Sequence, residues 1–112
     1  MTSFMTRSAK HFFVIKAARQ IRQEIEKAGL ETLKTLANAG TSIVGTYLQG
    51  CSAPEKAKYR RDLNTLLSMG ITADMVLGEV TRQMPEIATI MESKQDYKKT
   101  EIQAIERFLK EG

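Results

Sequence analysis

The sequence has no tryptophan, one cysteine and one histidine, and each shortage excludes a class of structure or chemistry. A single cysteine, Cys51, forms no disulfide within the chain and builds no cysteine-based zinc site. Because aromatics make up 6% of the residues, the core has to rest on aliphatic side chains and six methionines, which favours packed helices over sheets. The sequence therefore predicts an all-α protein of a reducing compartment.

Long apolar runs, glycine-rich loops and metal-ligand spacings are also missing. No stretch approaches the roughly 18 apolar residues of a membrane-spanning helix, and the N-terminus lacks the apolar region of a signal peptide. The glycines are scattered, so neither a Walker nor a Rossmann phosphate loop is present. The carboxylates follow no metal-ligand spacing. We expect a soluble cytoplasmic protein without membrane association, cofactor or metal site.

His11 and Cys51 are the candidates for catalysis, and the sequence favours neither. His11, the only imidazole, stands beside Lys10 with no neighbouring carboxylate to orient it. Cys51 precedes a predicted helix, and the positive end of a helix lowers thiol pKa values, so a reactive cysteine is one interpretation and an inert thiol in a turn is the other. Because nothing in the spacing pairs the two residues, we predict no catalytic residues and no enzyme activity.

The 112 residues fit one helical domain spanning the whole chain, with residues 1–7 as a candidate flexible tail. Apolar residues at helical spacing predict a compact bundle of five or six short to medium helices. The first is expected from N-cap Ser8 to about Gly29. A second begins near Leu30 and either breaks at Gly40 or continues through it.

Capping residues and two helix breakers mark the second half of the chain. N-caps or capping boxes are predicted at Ser52 with Glu55, at Thr72, and at Thr100 with Gln103. Gly70 suits the left-handed position that ends a helix, whereas Pro85 leaves either one kinked helix or two short ones. The last helix is expected to begin near Asp96 or at Thr100.

Charge is distributed unevenly along the chain, whose net charge is +4. Residues 1–23 carry five bases and no acid, whereas residues 71–93 carry four acids and one base. Opposite patches of this kind steer protein association and fix its orientation. We therefore predict a non-enzymatic protein–protein interaction module, an adaptor or regulatory subunit that binds another protein or itself, with a homo-oligomer expected.

The predicted partner-binding residues form a basic face and a set of apolar anchors. Phe12 and Phe13 flank the main apolar stripe of the first helix, so a core on one side of that helix cannot bury both. The basic face is Lys10, Lys16, Arg19, Arg22, Lys56, Lys58, Arg60 and Arg61, and the apolar anchors are Phe4, Phe12 and Phe13.

The alternative function is a small basic nucleic-acid-associated protein that contacts phosphates through the first helix and the start of the third. Base-stacking aromatics among these bases are lacking. Residues 66–76 resemble a helix-turn-helix, but its second helix would expose Asp74 and Glu79 to the phosphates. The turn Met69-Gly70-Ile71 is also similar to the Met-Gly-aromatic turn of ubiquitin-associated domains, which implies a ubiquitin-contact surface, although Ile71 stands at the aromatic position.

Overall fold

Seven helices and no strand make up the part of the chain that the computed structural model describes, residues 3–111, with side chains described from residue 9 onward. The helices are α1 Ser3–Ile25, α2 Leu30–Asn38, α3 Ile43–Gln49, α4 Ala53–Ser68, α5 Ala73–Gln83, α6 Pro85–Glu92 and α7 Tyr97–Lys110. The all-α prediction is confirmed. The predicted number of five or six is too low, because the chain breaks both at Gly40 and at Pro85. None of the described helices is long and apolar enough to cross a bilayer.

Local sequence rules explain most of the helix ends. Ser52 and Glu55 make the predicted capping box at the start of α4. Thr72 caps α5 by accepting a hydrogen bond from the Met75 amide at 3.2 Å. Between these two helices Gly70 takes a φ of +86°, the left-handed conformation in which a side chain would be strained.

One predicted helix start is wrong, and another agrees with the first of its two alternatives. α1 begins at Ser3, so Ser8 lies inside the helix and not at its N-cap, and α1 ends at Ile25 rather than at Gly29. α7 begins after Asp96, as one of the two predicted starts had it, and not at a Thr100 capping box. The cause is Tyr97, which is buried and donates its hydroxyl to the Thr41 carbonyl at 2.6 Å. The predicted tail at residues 1–7 and the anchor Phe4 lie outside the residues with described side chains.

α1 is the helix around which the others are arranged. It packs most extensively against α5 and also contacts α3 and α4. Its core-facing stripe consists of Val14, Ala17, Ala18, Ile21 and Ile25. α4 runs antiparallel to α1. At one end of the pair the Tyr59 hydroxyl donates to Glu24 at 2.9 Å, and at the other end the Lys10 ammonium lies beside the Gly70 turn.

The short helix α3 is held in place by a carboxylate from α7. Glu101 is fully buried, and its two oxygens accept hydrogen bonds from the amides of Ile43 at 2.8 Å and Val44 at 3.1 Å and from the Ser42 hydroxyl. The first turn of a helix has no intrahelical partners for these amides. Glu101 on α7 therefore provides hydrogen-bond acceptors for the first-turn amides of α3. A helix of only seven residues gains little stability from its own hydrogen bonds, so this contact stabilises it.

Candidate partner-binding surface

Two neighbouring phenylalanines on α1 lie outside the core. The Phe12 side chain is 58% exposed and that of Phe13 is 40% exposed. Their rings are tilted by 47° with centroids 5.7 Å apart, so each ring packs partly against the other. Full burial of one Phe side chain contributes about 1.5–3 kcal/mol, and neither residue contributes this amount within the described structure.

A groove between α1 and α4 adjoins the aromatic pair. Its lining residues are Phe13, Lys16, Ala17 and Gln20 from α1, and Asp62, Thr65, Leu66 and Met69 from α4. Ala17 and Leu66 are buried and form an apolar floor, with the half-buried Met69 beside them. The groove has a volume of about 160 Å³. That volume fits a protruding side chain better than a cofactor, whose pockets measure about 300–1,000 Å³.

Exposed basic residues border the aromatic pair and the groove. Phe12, Lys16 and Arg19 are spaced i, i+4 and i+7, so they lie on one face of α1, and all three are exposed. On α4, Lys58 and Arg61 are exposed as well. None of these four basic side chains forms an ion pair with an acid among the residues whose side chains are described. Their charge is available to a partner.

The other four predicted basic residues are placed differently. Arg60 donates from Nε to the Phe108 carbonyl at 2.8 Å, and its guanidinium lies 4.5 Å from the centre of the Phe108 ring, so it joins α4 to α7. The Arg22 Nε lies 3.2 Å from the carboxylate of Glu26, the residue that follows the end of α1. Lys10 and Lys56 are half-buried. The exposed basic surface is therefore narrower than the predicted one.

The predicted acidic segment is largely neutralised within the fold. Asp74 pairs with Lys98 at 3.3 Å across α5 and α7. Glu79 is buried and pairs with Arg82 at 3.3 Å on the same helix. The acids of this segment that stay exposed without such a pair in the described structure are Glu86 and Glu92. Two separate carboxylates form a much weaker complement to α1 than the sequence suggested.

The thiol and the imidazole lie far apart. His11 is exposed on the N-terminal half of α1, whereas Cys51 lies close to Glu24 at the C-terminal end of that helix, and His11 and Glu24 are about 20 Å apart along the helix axis. Cys51 donates to the Tyr47 carbonyl at 3.1 Å. Its burial and the nearby Glu24 carboxylate raise the pKa of the thiol to about 11. The thiol is therefore protonated at neutral pH, and the geometry forms no Cys–His pair.

Glu24 is the centre of a small polar cluster that joins α1 to α4. Its carboxylate accepts hydrogen bonds from Lys27 at 2.8 Å and from the Tyr59 hydroxyl at 2.9 Å. The Lys27 bond lowers the pKa of Glu24 against the opposing effect of burial, and Tyr59 lowers it further. Burial and the same carboxylate raise the pKa of Tyr59. At neutral pH the Glu24 carboxylate is therefore ionised and the Tyr59 hydroxyl is protonated, as their hydrogen bond requires. This hydrogen bond holds α1 against α4 and so positions the two walls of the groove.

Sequence reasoning missed the α4 wall of the groove. Helical periodicity does not indicate that α4 lies beside α1, or that Asp62, Thr65 and Met69 face the same space as Phe13. The hydrogen bond between Tyr59 and Glu24 fixes that neighbourhood. No local sequence pattern in α1 or α4 predicts a contact between residues 35 positions apart.

The helix-turn-helix resemblance does not extend to the surface of α5. Its residues Ala73, Val76, Leu77 and Val80 are buried against other helices. The face that stays exposed carries Asp74 and the single base Arg82, and so little positive charge is unfavourable to contact with DNA phosphates. No protein-family model matches the chain, the ubiquitin-associated family included, and searches of curated proteins and of solved structures find no match either.

Proposed function

We propose that the chain is a non-enzymatic interaction module, an adaptor or regulatory subunit, that binds another protein through the exposed face of α1 and the adjoining edge of α4. The observation that carries this proposal is the exposed Phe12–Phe13 pair beside Lys16 and Arg19, which form no ion pair with the side chains that the structure describes. Aromatic side chains and arginine are enriched among the residues that dominate binding energy at protein interfaces. Here the aromatic residues are Phe12 and Phe13, and the arginine is Arg19, which lies on the same face of α1 as Phe12.

Binding is favoured over catalysis by the state of the two reactive side chains. Cys51 is protonated at neutral pH, and no hydrogen-bond partner orients the exposed His11 ring within the described structure. We propose a cytoplasmic location, which the single free thiol supports because free cysteines suit a reducing compartment.

The test is capture of a protein from a nuclease-treated extract by the full chain, followed by reconstitution with the purified protein that is identified. The variant Phe12→Ser/Phe13→Ser is compared with Leu30→Ser, which removes an equally exposed apolar side chain, 42% against 40% for Phe13, on α2. We expect wild type and Leu30→Ser to retain the partner and the double variant to lose it. Equal retention by all three proteins contradicts the proposal.

Nucleic-acid binding is the second candidate, and one observation favours it. Phe12 lies one turn from Lys16 on the same exposed face, so an aromatic ring does accompany the basic residues. Light scattering after size exclusion, at low and high salt, with and without mixed nucleic acid, separates the two functions. A monomer that shifts only with nucleic acid at low salt contradicts the protein-binding proposal, and a chain indifferent to nucleic acid contradicts the alternative.

A further inference from the structure

The walls of the α1–α4 groove determine the secondary structure of what can lie in it. Both walls are helices, whose backbone donors and acceptors are used within each helix, so the groove has no strand edge to which a β-strand could be added. From Phe13 to Gln20 and from Asp62 to Met69 each wall extends for two turns, about 10 Å. An amphipathic helix that places apolar side chains at i, i+3 or i+4, and i+7 matches this length.

The charge of the side chains around the groove determines the sign of the charge expected on its ligand. Lys16 stands on the α1 wall, and Arg19 follows on the next turn of the same helix. On α4, Lys58 is one turn before Asp62 on the groove-facing stripe, and Arg61 is exposed beside it. Asp62 is the single acid among the lining residues. The rim is therefore predominantly positive and complements an acidic ligand.

A second copy of the chain fits this surface poorly. A twofold contact between two α1 helices would bring Lys16 and Arg19 of one copy against the same bases of the other, which is unfavourable. A head-to-tail contact through the acidic segment would offer this rim only two acids, because Glu86 and Glu92 are the ones in that segment that stay exposed without an ion pair within the described residues. An acidic helix of a different protein brings no like charges against Lys16 and Arg19, and it can carry more acids than that segment offers.

From this geometry we propose that the α1–α4 groove binds an acidic amphipathic helix of a partner protein, an inference that rests on the proposed function and specifies its ligand. Apolar side chains of the partner helix lie over Ala17, Leu66 and Met69 and against the ring of Phe13. Its acidic residues lie along the outer edge, toward Lys16 and Lys58. Opposite Asp62 the partner helix carries a neutral or basic residue, because an acid there would face a like charge.

The probe is an 18-residue helical peptide with Leu at i, i+3, i+4 and i+7 spacing and Glu on both flanks. Two control peptides are used. One has the same composition in scrambled order, and the other keeps the order but has Lys in place of every Glu. Binding is followed on the full chain by chemical-shift changes of its amides, which detect complexes as weak as about 1 mM. We expect shifts confined to the groove-facing residues of α1 and α4 with the acidic peptide, and none with either control.

Variants of the rim test the charge argument in both directions. Lys16→Glu/Lys58→Glu should weaken binding of the acidic peptide by roughly tenfold or more, whereas Lys99→Glu, an exposed lysine on α7, should change it less than twofold. Asp62→Asn should strengthen binding by roughly two- to threefold. A gain in affinity does not arise from misfolding, so this variant keeps the proposal falsifiable if a charge reversal unfolds the chain.

Each outcome decides between occupants. Equal binding of the acidic and lysine peptides overturns the charge argument, and equal binding of the scrambled peptide overturns the helix. Absence of binding at about 1 mM overturns the inference; if the Phe12- and Phe13-dependent capture described above still succeeds, the proposed function stands with a different ligand. Self-association that displaces the peptide assigns the groove to a second copy, and nucleic acid that displaces it overturns both proposals.

Discussion

Replacing Glu101 by glutamine tests whether one buried carboxylate holds α3 to the rest of the fold. The carboxylate accepts three hydrogen bonds, from the amides of Ile43 and Val44 and from the Ser42 hydroxyl. Glutamine has nearly the same shape, but one of its two groups is an NH₂ that donates. When the amide oxygen faces Ser42 and Val44, the NH₂ faces the Ile43 amide, and that buried donor loses its partner.

The expected loss follows from this count. A buried donor left unsatisfied costs about 1–3 kcal/mol, and the two remaining bonds weaken because the acceptor is no longer charged. We expect Glu101→Gln to lower the free energy of unfolding by about 2–4 kcal/mol. For a domain of this length 1 kcal/mol corresponds to roughly 4 °C, so Tm should fall by about 8–16 °C.

Thermal and urea unfolding followed by circular dichroism measure this change. The matched control is Glu106→Gln, which makes the same chemical change at an exposed position on the same helix and should shift stability by less than about 0.5 kcal/mol. If Glu101→Gln unfolds within 2 °C of the wild type, the carboxylate does not stabilise α3 and the reasoning fails.

Three further predictions concern other parts of the fold. With its pKa raised from 9.0 to about 11, Cys51 should react with iodoacetamide at pH 7.5 roughly 100-fold more slowly than an unperturbed thiol, and a rate equal to that of free cysteine would contradict its buried environment. Gly45→Ala should destabilise the chain by about 1–3 kcal/mol, because the new Cβ would stand 2.8 Å from the Ala104 Cβ and 3.0 Å from the Ser42 hydroxyl oxygen; in urea unfolding the double variant with Ala104→Gly should lose less stability than the sum of the two single changes, and additive effects would contradict the contact with Ala104. Because the folded-state pKa of Glu24 is lowered, its contribution to stability is present above the ordinary value of 4.5 and is lost as the pH falls through the folded value; urea midpoints of wild type and Glu24→Gln should therefore converge at low pH, and a constant gap from pH 7 to 3 would contradict the shift.

The helices were predictable where their ends depend on neighbouring residues. Ser52, Thr72 and Gly70 act through atoms within a few positions of themselves, so the sequence suffices to place them. The start of α7 was ambiguous because the decisive interaction, from Tyr97 to Thr41, joins residues 56 positions apart. Propensity at Thr100 favoured a capping box that this distant bond overrides.

The candidate site was predictable in part for the same reason. The exposure of Phe12 and Phe13 follows from their angular position on a single helix, which the sequence specifies. The engagement of Arg60 with Phe108 and the neutralisation of Asp74 by Lys98 depend on which helices meet, and charge counting along the chain does not contain that information. The basic and acidic segments therefore shrink once the fold pairs their members.

The bond between Glu101 and the first turn of α3 also has a consequence for how the chain folds as it is synthesised. Ile43 and Glu101 are 58 positions apart, and α1 likewise packs against a helix from the second half of the chain. Contacts between distant positions slow folding relative to bundles in which each helix meets its successor. A nascent chain that has released α3 but not α7 lacks the carboxylate that completes it, so we expect folding to finish only after α7 leaves the ribosome.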